Sequence, residues 1–277
     1  MDTQAFVDAL AGVFEGEPAE GVPADPRFAE IAADVTGFST PAELAVLQLA
    51  ARLLPEGECY LEVGTFKGRS ICGAMLDAPD RRFVAVENFQ EFGMLAAESR
   101  AELDGAIRRH VRSGRLRLVD GDGFRVLRDG SAVSEPVGVY FYDGAHTDLA
   151  HYLALGVAEP LLADEALVLV DDASWPMVEQ ATLRYIERHP GWEVLEFFRA
   201  ASDHDPLWAN GLMVLRYRRP PGVRPARTSD VEWRLALQRW VRGPADSFAW
   251  RTLHRFPGLV PLAKRIVPSG SRTVPGS

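Results

Sequence analysis

Three aspartates and one histidine occur where two predicted strands end. Asp143 and His146 follow one apolar strand segment, and Asp171 and Asp172 follow the next. If these strands are parallel neighbours, their carboxyl ends meet at one edge of a sheet and the three carboxylates lie together. Clustered carboxylates are costly unless they share a proton or bind a cation, and hard divalent ions take such oxygen ligands. The sequence therefore predicts a Mg²⁺ site formed by Asp143, Asp171 and Asp172.

His146 follows Asp143 by three residues and adds a titratable base to this group. A neutral imidazole suits the removal of a proton from a hydroxyl, above all where a metal has raised the acidity of that hydroxyl. Two alternatives stay open. The histidine could cap a helix or lie on the surface, and the aspartates could be solvated at the strand ends without a metal. The pattern predicts His146 and Asp143 as the catalytic residues.

A glycine turn, Glu62-Val63-Gly64-Thr65-Phe66-Lys67-Gly68-Arg69-Ser70, follows an earlier apolar strand. Doubly wound α/β folds bind nucleosides at such a turn, where glycine permits close approach and a helix N-terminus opens toward the ligand. The acidic Glu62 would repel a pyrophosphate, and the spacing of dinucleotide sites is absent. A nucleoside with an ammonium and a sulfonium fits better, which indicates S-adenosylmethionine. The residues expected to contact it here are Glu62, Gly64, Thr65, Gly68 and Ser70, with Asp143 beside them.

Two more predicted strands end in acidic residues that suit the rest of this cofactor. Glu87, followed by Asn88, is expected to accept hydrogen bonds from both ribose hydroxyls. Asp122, which follows Gly121, is expected to accept from the adenine amino group, with Phe124 packing on the ring. The alternative for any one position is an acid that only caps the next helix.

A polar loop, residues 203–210, joins the last two predicted strands. If the strand before it is parallel to the others, the loop opens at the same edge of the sheet. Trp208 is then expected to stack on a sugar or aromatic ring of the substrate, and His204 is the reserve base. An ordinary polar hairpin turn is the alternative. Residues 36–40 and the N-terminal loop are expected to form a lid that excludes water.

The elements that must position these residues alternate between strand and helix. The last two strands follow each other without a helix and are expected to pair as a hairpin. This order predicts an α/β fold with a Rossmann-like, seven-stranded sheet, mostly parallel with the last strand antiparallel, and helical additions at both ends. The predicted strands are 59–63, 83–86, 116–119, 139–142, 166–170, 193–198 and 212–217, and the predicted helices are 70–76, 94–112, 149–158 and 177–188.

Three regions are expected along the chain. Residues 1–58 form a helical N-terminal segment, in which Thr40-Pro41-Ala42-Glu43 has the spacing of a capping box. Residues 59–218 form the cofactor-binding domain. Residues 219–277 form a basic helical extension with a disordered end.

The spacing of Glu62, Gly64, Gly68 and Ser70 and the acids at the later strand ends resemble the class I S-adenosylmethionine-dependent O-methyltransferases, over roughly residues 40–217. Within that class the chain looks most like metal-dependent enzymes that act on catechols or on the sugars of natural products. The resemblance implies contacts to the methionine end, the ribose and the adenine at the positions already named: Glu62, Gly64, Ser70, Glu87 and Asp122.

The same resemblance bears on the metal and the base. In metal-dependent relatives, the acid at the fourth strand end and the acidic or amide pair at the fifth hold the ion, which matches Asp143, Asp171 and Asp172. Some relatives have lysine as the base where this chain has His146, and certain sugar-modifying ones have histidine. The chain departs from the pattern at Ala163-Asp164-Glu165, where close relatives often have a Pro-Gly-Gly turn.

The charge distribution limits the partners. Residues 1–215 hold 17 basic and 36 acidic side chains, whereas residues 216–277 hold 13 basic and 3 acidic ones. An acidic body makes nucleic acid an improbable substrate, because phosphate contacts dominate that affinity. No apolar run is long enough for a membrane span, no signal peptide is recognised, and two cysteines do not indicate a disulfide framework. We expect a cytoplasmic protein, with a homodimer plausible from its helical ends.

These patterns together predict Mg²⁺-dependent O-methylation of a small molecule with neighbouring hydroxyls, either the sugar of a natural product or a catechol. Two alternatives remain. One is a metal-independent methyltransferase of the same fold, and the other is a protein that binds S-adenosylmethionine without catalysis.

Overall fold

A computed structural model describes residues 1–19, 21–78, 80–89, 96–111, 115–222 and 229–245, together with Phe248, Thr252 and Arg255. The helices are α1 (Thr3–Leu10), α2 (Arg27–Asp34), α3 (Pro41–Arg52), α4 (Arg69–Ala74), α5 (Ala96–His110), α6 (Gly123–Asp129), α7 (Asp148–Ala158), α8 (Pro176–Arg188) and α9 (Ser229–Leu237). The strands are β1 (Cys59–Val63), β2 (Arg82–Glu87), β3 (Leu116–Asp120), β4 (Val137–Tyr142), β5 (Leu162–Val170), β6 (Trp192–Phe198) and β7 (Leu212–Arg218).

Within the described residues, the strands form one seven-stranded sheet in the order β3-β2-β1-β4-β5-β7-β6. β7 is antiparallel to both of its neighbours, and the other pairs are parallel. The predicted fold class is confirmed, including the closing hairpin. Since β6 runs parallel to β5, the loop between β6 and β7 opens at the edge where β1 to β5 end.

Both faces of the sheet are covered by helices, so the central strands are apolar along their whole length. All residues of β1 and β4 are buried. Alternate side chains point to opposite faces. Tyr60 and Val139 pack into a core shared with α1 to α5, and Leu61 and Tyr140 pack into a core shared with α6 to α9. The N-terminal helices therefore complete the core on one face of the sheet.

The carboxyl ends of the central strands are level with each other. Tyr142 is in register with Val63 on one side and with Val170 on the other. The backbone continues this pattern, because the N–H of Asp143 donates to Val63 O at 2.9 Å and the N–H of Asp171 donates to Tyr142 O at 3.0 Å. Asp143 and Asp171 therefore follow adjacent strands at one edge of the sheet, as predicted.

The predicted capping box begins α3. The Thr40 side chain accepts from the N–H of Glu43 at 3.3 Å, and the Glu43 carboxylate accepts from the N–H of Thr40 at 2.7 Å. The Thr40 hydroxyl also donates to the carbonyl of Leu207, in the loop between β6 and β7. This contact places the start of α3 at the edge where the strands end.

One helix was not predicted. The segment after β3 is absent from the predicted helices, whereas α6 begins there at Gly123. The predicted helix 94–112 is observed as α5 (Ala96–His110), and the rest of that prediction lies partly outside the described residues.

The C-terminal region contains α9 and a short π-helix, Gln238–Arg242. Val231 is buried, whereas Trp233 and Trp240 are 63% and 71% exposed. The predicted disordered end lies outside the described residues. In the part of the chain described here, no helix combines the length and apolar character needed to cross a membrane.

Candidate functional site

Asp143, His146 and Asp172 form a compact group at the carboxyl edge of the sheet. His146 Nε2 lies 2.7 Å from Asp172 Oδ2 and 3.4 Å from Asp143 Oδ1. One ligand atom from each residue lies within 4.8 Å of the other two, which makes the group a candidate metal site. This group differs from the predicted metal site, because His146 takes part and Asp171 does not.

The electrostatics of the group follow from this geometry. Burial alone would lower the pKa of His146, but the carboxylates of Asp172 and Asp143 more than offset it and raise the pKa well above 6.5. Burial likewise acts to raise the pKa of Asp172, but the charge and hydrogen bond of His146 outweigh it and lower that pKa. Without a cation, the pair is therefore an imidazolium beside a carboxylate.

Asn210 holds Asp172 in place and was missed by sequence reasoning. Its Nδ2 donates to Asp172 Oδ1 at 2.7 Å, while its Oδ1 accepts from the N–H of His204 at 3.0 Å. The backbone reinforces the contact, since the N–H of Ser174 donates to Asn210 O at 2.8 Å. Asp172 has a φ of 55°, in the left-handed region. Asp and Asn tolerate that region better than most residues, and the docked loop stabilises it.

Asp171, which precedes Asp172 in the chain, is not a member of the group. It is buried, and its Oδ1 has no hydrogen-bond partner among the described residues. Burial, followed by the charges of Asp143 and Glu43, raises the pKa of Asp171 well above 3.8. Glu43 was not predicted as a site residue. Burial is the largest effect and raises its pKa to about 8. The charges of Asp143 and Asp172 also raise it, whereas the hydrogen bond from Thr40 lowers it.

Aromatic rings surround His146. Trp175 packs edge-on against the imidazole, with ring centroids 5.4 Å apart and an interplanar angle of 85°. The ring of His151 stacks at a longer distance, with its centroid 6.3 Å from that of His146 and an interplanar angle of 21°. His151 is fully buried, and burial together with the charge of His146 lowers its pKa to about 3. His151 is therefore neutral and is not a competing base at neutral pH.

Glu62 is fully buried at the end of β1. Its Oε1 accepts from the Ser70 hydroxyl at 2.8 Å, and its Oε2 accepts from the Tyr60 hydroxyl at 3.3 Å. Burial is the largest effect and raises its pKa to about 8. The two basic side chains of the turn are engaged elsewhere: Lys67 pairs with Glu102 at 2.8 Å, and Arg69 donates to Val35 O at 2.7 Å.

A buried carboxyl without a basic partner in the turn suits a positively charged ligand. A cation close to Glu62 would stabilise the ionised carboxylate, whereas a phosphate would raise the cost of ionising it. The turn therefore has the electrostatics expected of a site for the ammonium and sulfonium of S-adenosylmethionine.

The buried Glu62 makes the stability of the ligand-free protein depend on pH. Its folded-state pKa of about 8 exceeds the ordinary 4.5, so only the unfolded chain releases the proton between these values. Stability then falls as pH rises from 4.5 to 8, by up to about 1.4 kcal/mol per pH unit for this group. We expect Glu62→Gln to flatten the dependence of unfolding free energy on pH, measured with urea from pH 5 to pH 8.

The exposed Glu30→Gln is the matched control for that measurement, because it removes one surface carboxylate and should leave the slope unchanged. Parallel curves for the wild type and Glu62→Gln would contradict the expectation. Glutamine keeps an oxygen that accepts from Ser70, so loss of the fold is not the expected result.

The two predicted glycines of the turn are needed for packing within the protein. Gly64 has a φ of 95°, and a Cβ there would lie 1.7 Å from Asp143 O. Gly68 has a φ of 94°, and its Cβ would lie 2.6 Å from Leu103 Cδ1. The absence of a side chain thus lets β1 and the residue after β4 approach each other. Thr65 is buried between the two glycines.

Glu87 braces the same turn. Its two carboxylate oxygens accept from the N–H groups of Phe66 at 2.7 Å and Phe89 at 2.8 Å. A carboxylate has about four acceptor positions, so Glu87 retains the capacity to accept from the ribose hydroxyls. Asn88 follows it and is partly buried.

Asp122 takes the capping position of α6. It is exposed, and its Oδ1 accepts from the N–H of Arg125 at 2.9 Å. Gly121 precedes it and donates its N–H to Glu87 O at 3.0 Å. Phe124 is partly buried, with its ring 6.5 Å from that of Tyr142. The structure thus gives Asp122 the alternative role of a helix cap, and an adenine contact stays a prediction.

The structure buries Trp208 in the core. It is 2% exposed, its ring stacks on Phe198 at 4.0 Å, and its Nε1 donates to Ala19 O at 2.9 Å. A buried, stacked indole leaves no open face for a substrate. His204 is exposed in the same loop, with a φ of 57°.

In the expected lid, residues 36–40, Phe38 is 67% exposed and stacks on Phe66 of the glycine turn.

A family model described as a methyltransferase domain matches residues 61–173. This range runs from β1 to the turn after β5, so it contains both the glycine turn and the group of Asp143, His146 and Asp172. The comparison with curated proteins gives no significant match.

Solved structures share the fold over most of the chain. Rv0187 from MTB, in a cofactor-bound structure, has a TM-score of 0.55 and 19% identity, covering 79% of this chain and 97% of its own. An O-methyltransferase from Bacillus cereus in complex with SAH has a TM-score of 0.54 and 16% identity, covering 77% and 97%. The O-methyltransferase TomG from Streptomyces achromogenes, in complex with SAM, has a TM-score of 0.52 and 16% identity, covering 79% and 100%.

Proposed function

We propose that this chain is an S-adenosylmethionine-dependent O-methyltransferase that uses Mg²⁺ to methylate a hydroxyl of a small molecule. The observation that carries the proposal is the group of Asp143, His146 and Asp172, whose ligand atoms lie within 4.8 Å of one another. This group adjoins a glycine turn that holds the buried carboxyl of Glu62. The match of residues 61–173 to a methyltransferase domain and the fold shared with SAM- and SAH-bound proteins support the cofactor.

The donor set fits a divalent cation. Asp143 and Asp172 supply the oxygens that Mg²⁺ prefers, and the unpartnered Oδ1 of Asp171 lies in the same region. Asp171 therefore stays in the proposed metal site as a residue that would turn toward the ion. When bound, Mg²⁺ would raise the acidity of a substrate hydroxyl, and S-adenosylmethionine would supply the methyl group.

His146 is the proposed general base. Its Nε2 would take the proton of the acceptor hydroxyl while the hydroxyl oxygen forms its bond to the methyl carbon and the methyl–sulfur bond breaks. Asp172, 2.7 Å away, would orient the imidazole and stabilise the imidazolium that results. Trp175 limits the access of water on one side of the ring. The fixed position of Asp172 also limits the directions from which an acceptor can approach.

The proposed acceptor is a vicinal diol on the sugar of a natural product, with a catechol as the second choice. Histidine in place of the lysine of some related enzymes favours the sugar. TomG, one of the proteins of similar fold, is involved in tomaymycin synthesis, which is consistent with an acceptor from natural-product biosynthesis. A cytoplasmic location and a homodimer remain predictions of the sequence.

The experiment that tests the proposal is a crystal of the protein with Mn²⁺ and S-adenosylhomocysteine, examined by anomalous scattering. We expect a peak about 2.0–2.3 Å from carboxylate oxygens of Asp143 and Asp172, facing the sulfur of the cofactor. Cofactor density without this peak would contradict the metal site and favour a metal-independent methyltransferase. An open cleft without either ligand would contradict the enzyme and favour a binding protein.

A further inference from the structure

A phenylalanine of the expected lid contacts a residue of the glycine turn. Phe38 is 67% exposed, and its ring stacks on that of Phe66 with centroids 5.8 Å apart and an interplanar angle of 8°. A side chain that leaves most of its surface in water adds little to the hydrophobic core. The stacking contact is therefore not explained by the folding of the core.

Phe66 has a backbone conformation that is rare for a bulky side chain. Its φ is 47°, in the left-handed region, where glycine is favoured and phenylalanine is strained. In this conformation its N–H donates to Glu87 Oε2 at 2.7 Å, and its ring lies 5.3 Å from Lys67 Nζ. Strain of this kind persists only where the surroundings hold the residue in place. Phe66 therefore links the ring of Phe38 to the carboxylate that is expected to accept from the ribose hydroxyls.

Arg69 fixes the short segment that carries Phe38. Its Nε donates to Val35 O at 2.7 Å and its Nη1 donates to Ser39 O at 3.0 Å, so one guanidinium holds both ends of the segment. Between them, Gly37 packs so closely that a Cβ there would lie 2.8 Å from Arg69 Cβ. Because Arg69 is itself the next residue after the second glycine of the turn, it fixes the position of the segment relative to the turn.

The energies involved are of similar size, since backbone strain at a bulky residue is comparable with the attraction within an aromatic pair. Loss of the Phe38 ring would let Phe66 relax to an ordinary conformation in a fraction of the molecules, and its N–H would then leave Glu87. A site that is competent in only a fraction of the molecules binds its ligand correspondingly more weakly. The stacking contact is therefore able to set the affinity of the turn for a ligand.

We infer that Phe38 is a positioning residue for the cofactor, because its ring holds Phe66 in the left-handed conformation that directs its N–H to Glu87. The inference rests on the proposed function, since it takes the glycine turn as the site of S-adenosylmethionine. It gives residues 36–40 a role in shaping that turn, in addition to the exclusion of water expected of a lid. It also extends the site to a segment outside the matched range 61–173.

The test measures the dissociation constant of S-adenosylhomocysteine by calorimetry in a double-mutant cycle of the full chain. Phe38→Ala is expected to bind it about three- to tenfold more weakly than the wild type, the size of effect that an aromatic pair supports. In the Phe66→Gly background, the left-handed conformation is free of strain. There, adding Phe38→Ala should change the affinity by less than about 1.5-fold. Phe248→Ala, which removes a ring that is 71% exposed in the C-terminal region, should bind like the wild type.

Equal affinities for the wild type and Phe38→Ala would overturn the inference and leave the proposed function intact. The same loss in the wild-type and Phe66→Gly backgrounds would also overturn it, because Phe38 would then act without Phe66. Absence of S-adenosylhomocysteine binding by the wild type would overturn the inference and the proposed function together. Urea unfolding is the second measurement: Phe38→Ala should unfold at nearly the same urea concentration as the wild type, and a large loss of stability would make its role structural and overturn the inference.

Discussion

Substitution of His146 by alanine is expected to lower the rate of methyl transfer by about 10²- to 10⁴-fold, the usual contribution of a general base. The affinity for S-adenosylhomocysteine should stay within about twofold of the wild type. The reason is that the proposed cofactor contacts lie at the glycine turn, whereas His146 is proposed only as the proton acceptor. The measurement is kcat by product formation, together with the dissociation constant from calorimetry.

The structure gives this substitution a second readout. His146 Nε2 faces both Asp143 and Asp172, so its lone pair can either bind the cation or take a proton. A base leaves Mn²⁺ affinity nearly unchanged when it is removed, whereas a ligand weakens it strongly. We expect the first result.

His204 provides the matched control. It is exposed in the loop between β6 and β7, and only its backbone N–H contacts Asn210. His204→Ala should retain nearly full activity. If His146→Ala keeps full activity and His204→Ala loses it, His204 is the base instead of His146.

Replacing Gly64 with alanine is expected to destabilise the protein by about 3 kcal/mol or more, as expected for strain combined with overpacking in a close-packed interior. The new Cβ would meet Asp143 O at 1.7 Å, and the φ of 95° is unfavourable for alanine. Since the clash is with backbone, relief requires β1 and the segment after β4 to separate. Urea unfolding of the variant and the wild type measures the loss.

Gly57→Ala separates the cost of the positive φ from the cost of the clash with backbone. Gly57 has a φ of 84°, and a Cβ there would meet nothing within 4 Å. The stability lost in Gly57→Ala should be limited to the cost of a left-handed backbone conformation for alanine, about 1–2 kcal/mol. Equal losses at Gly57 and Gly64 would show that the backbone near Asp143 yields to the added methyl group.

The sheet could be predicted from the sequence because its strands are buried on both faces. Apolar runs between polar turns mark such strands, and β1 was predicted with its observed bounds, Cys59–Val63. The carboxyl ends then follow from topology, since parallel neighbours end at one edge. Asp143 and Asp172 were found in this way, at the end of β4 and just after β5.

Side-chain direction was harder to predict. Asp171 and Asp172 are adjacent in sequence, but only Asp172 reaches His146, because its backbone leaves the extended conformation after β5. Its φ of 55° is set by the docked loop that ends in Asn210. The sequence around Asp172 does not indicate its contact with Asn210, which is 38 residues away in the chain.

Glu43 and Trp208 show a related limit. The capping box explained Glu43 completely at the level of local sequence, so the lack of a hydrogen-bond partner for its Oε1 within the described residues was not anticipated. Trp208 lies in a polar loop, and its burial depends on Phe14 and Ala19, which are distant in sequence. For Trp208 the deciding contacts join the N-terminal segment to the loop before β7.

The contact between the N-terminal segment and the loop before β7 has a practical consequence for enzyme engineering. The Trp208 indole donates to Ala19 O, and the Thr40 hydroxyl donates to Leu207 O. Grafting either segment alone from a related protein would leave an empty indole pocket or an indole without its cover. Chimaeras designed for new acceptors should therefore take the N-terminal segment and the loop before β7 from the same parent protein.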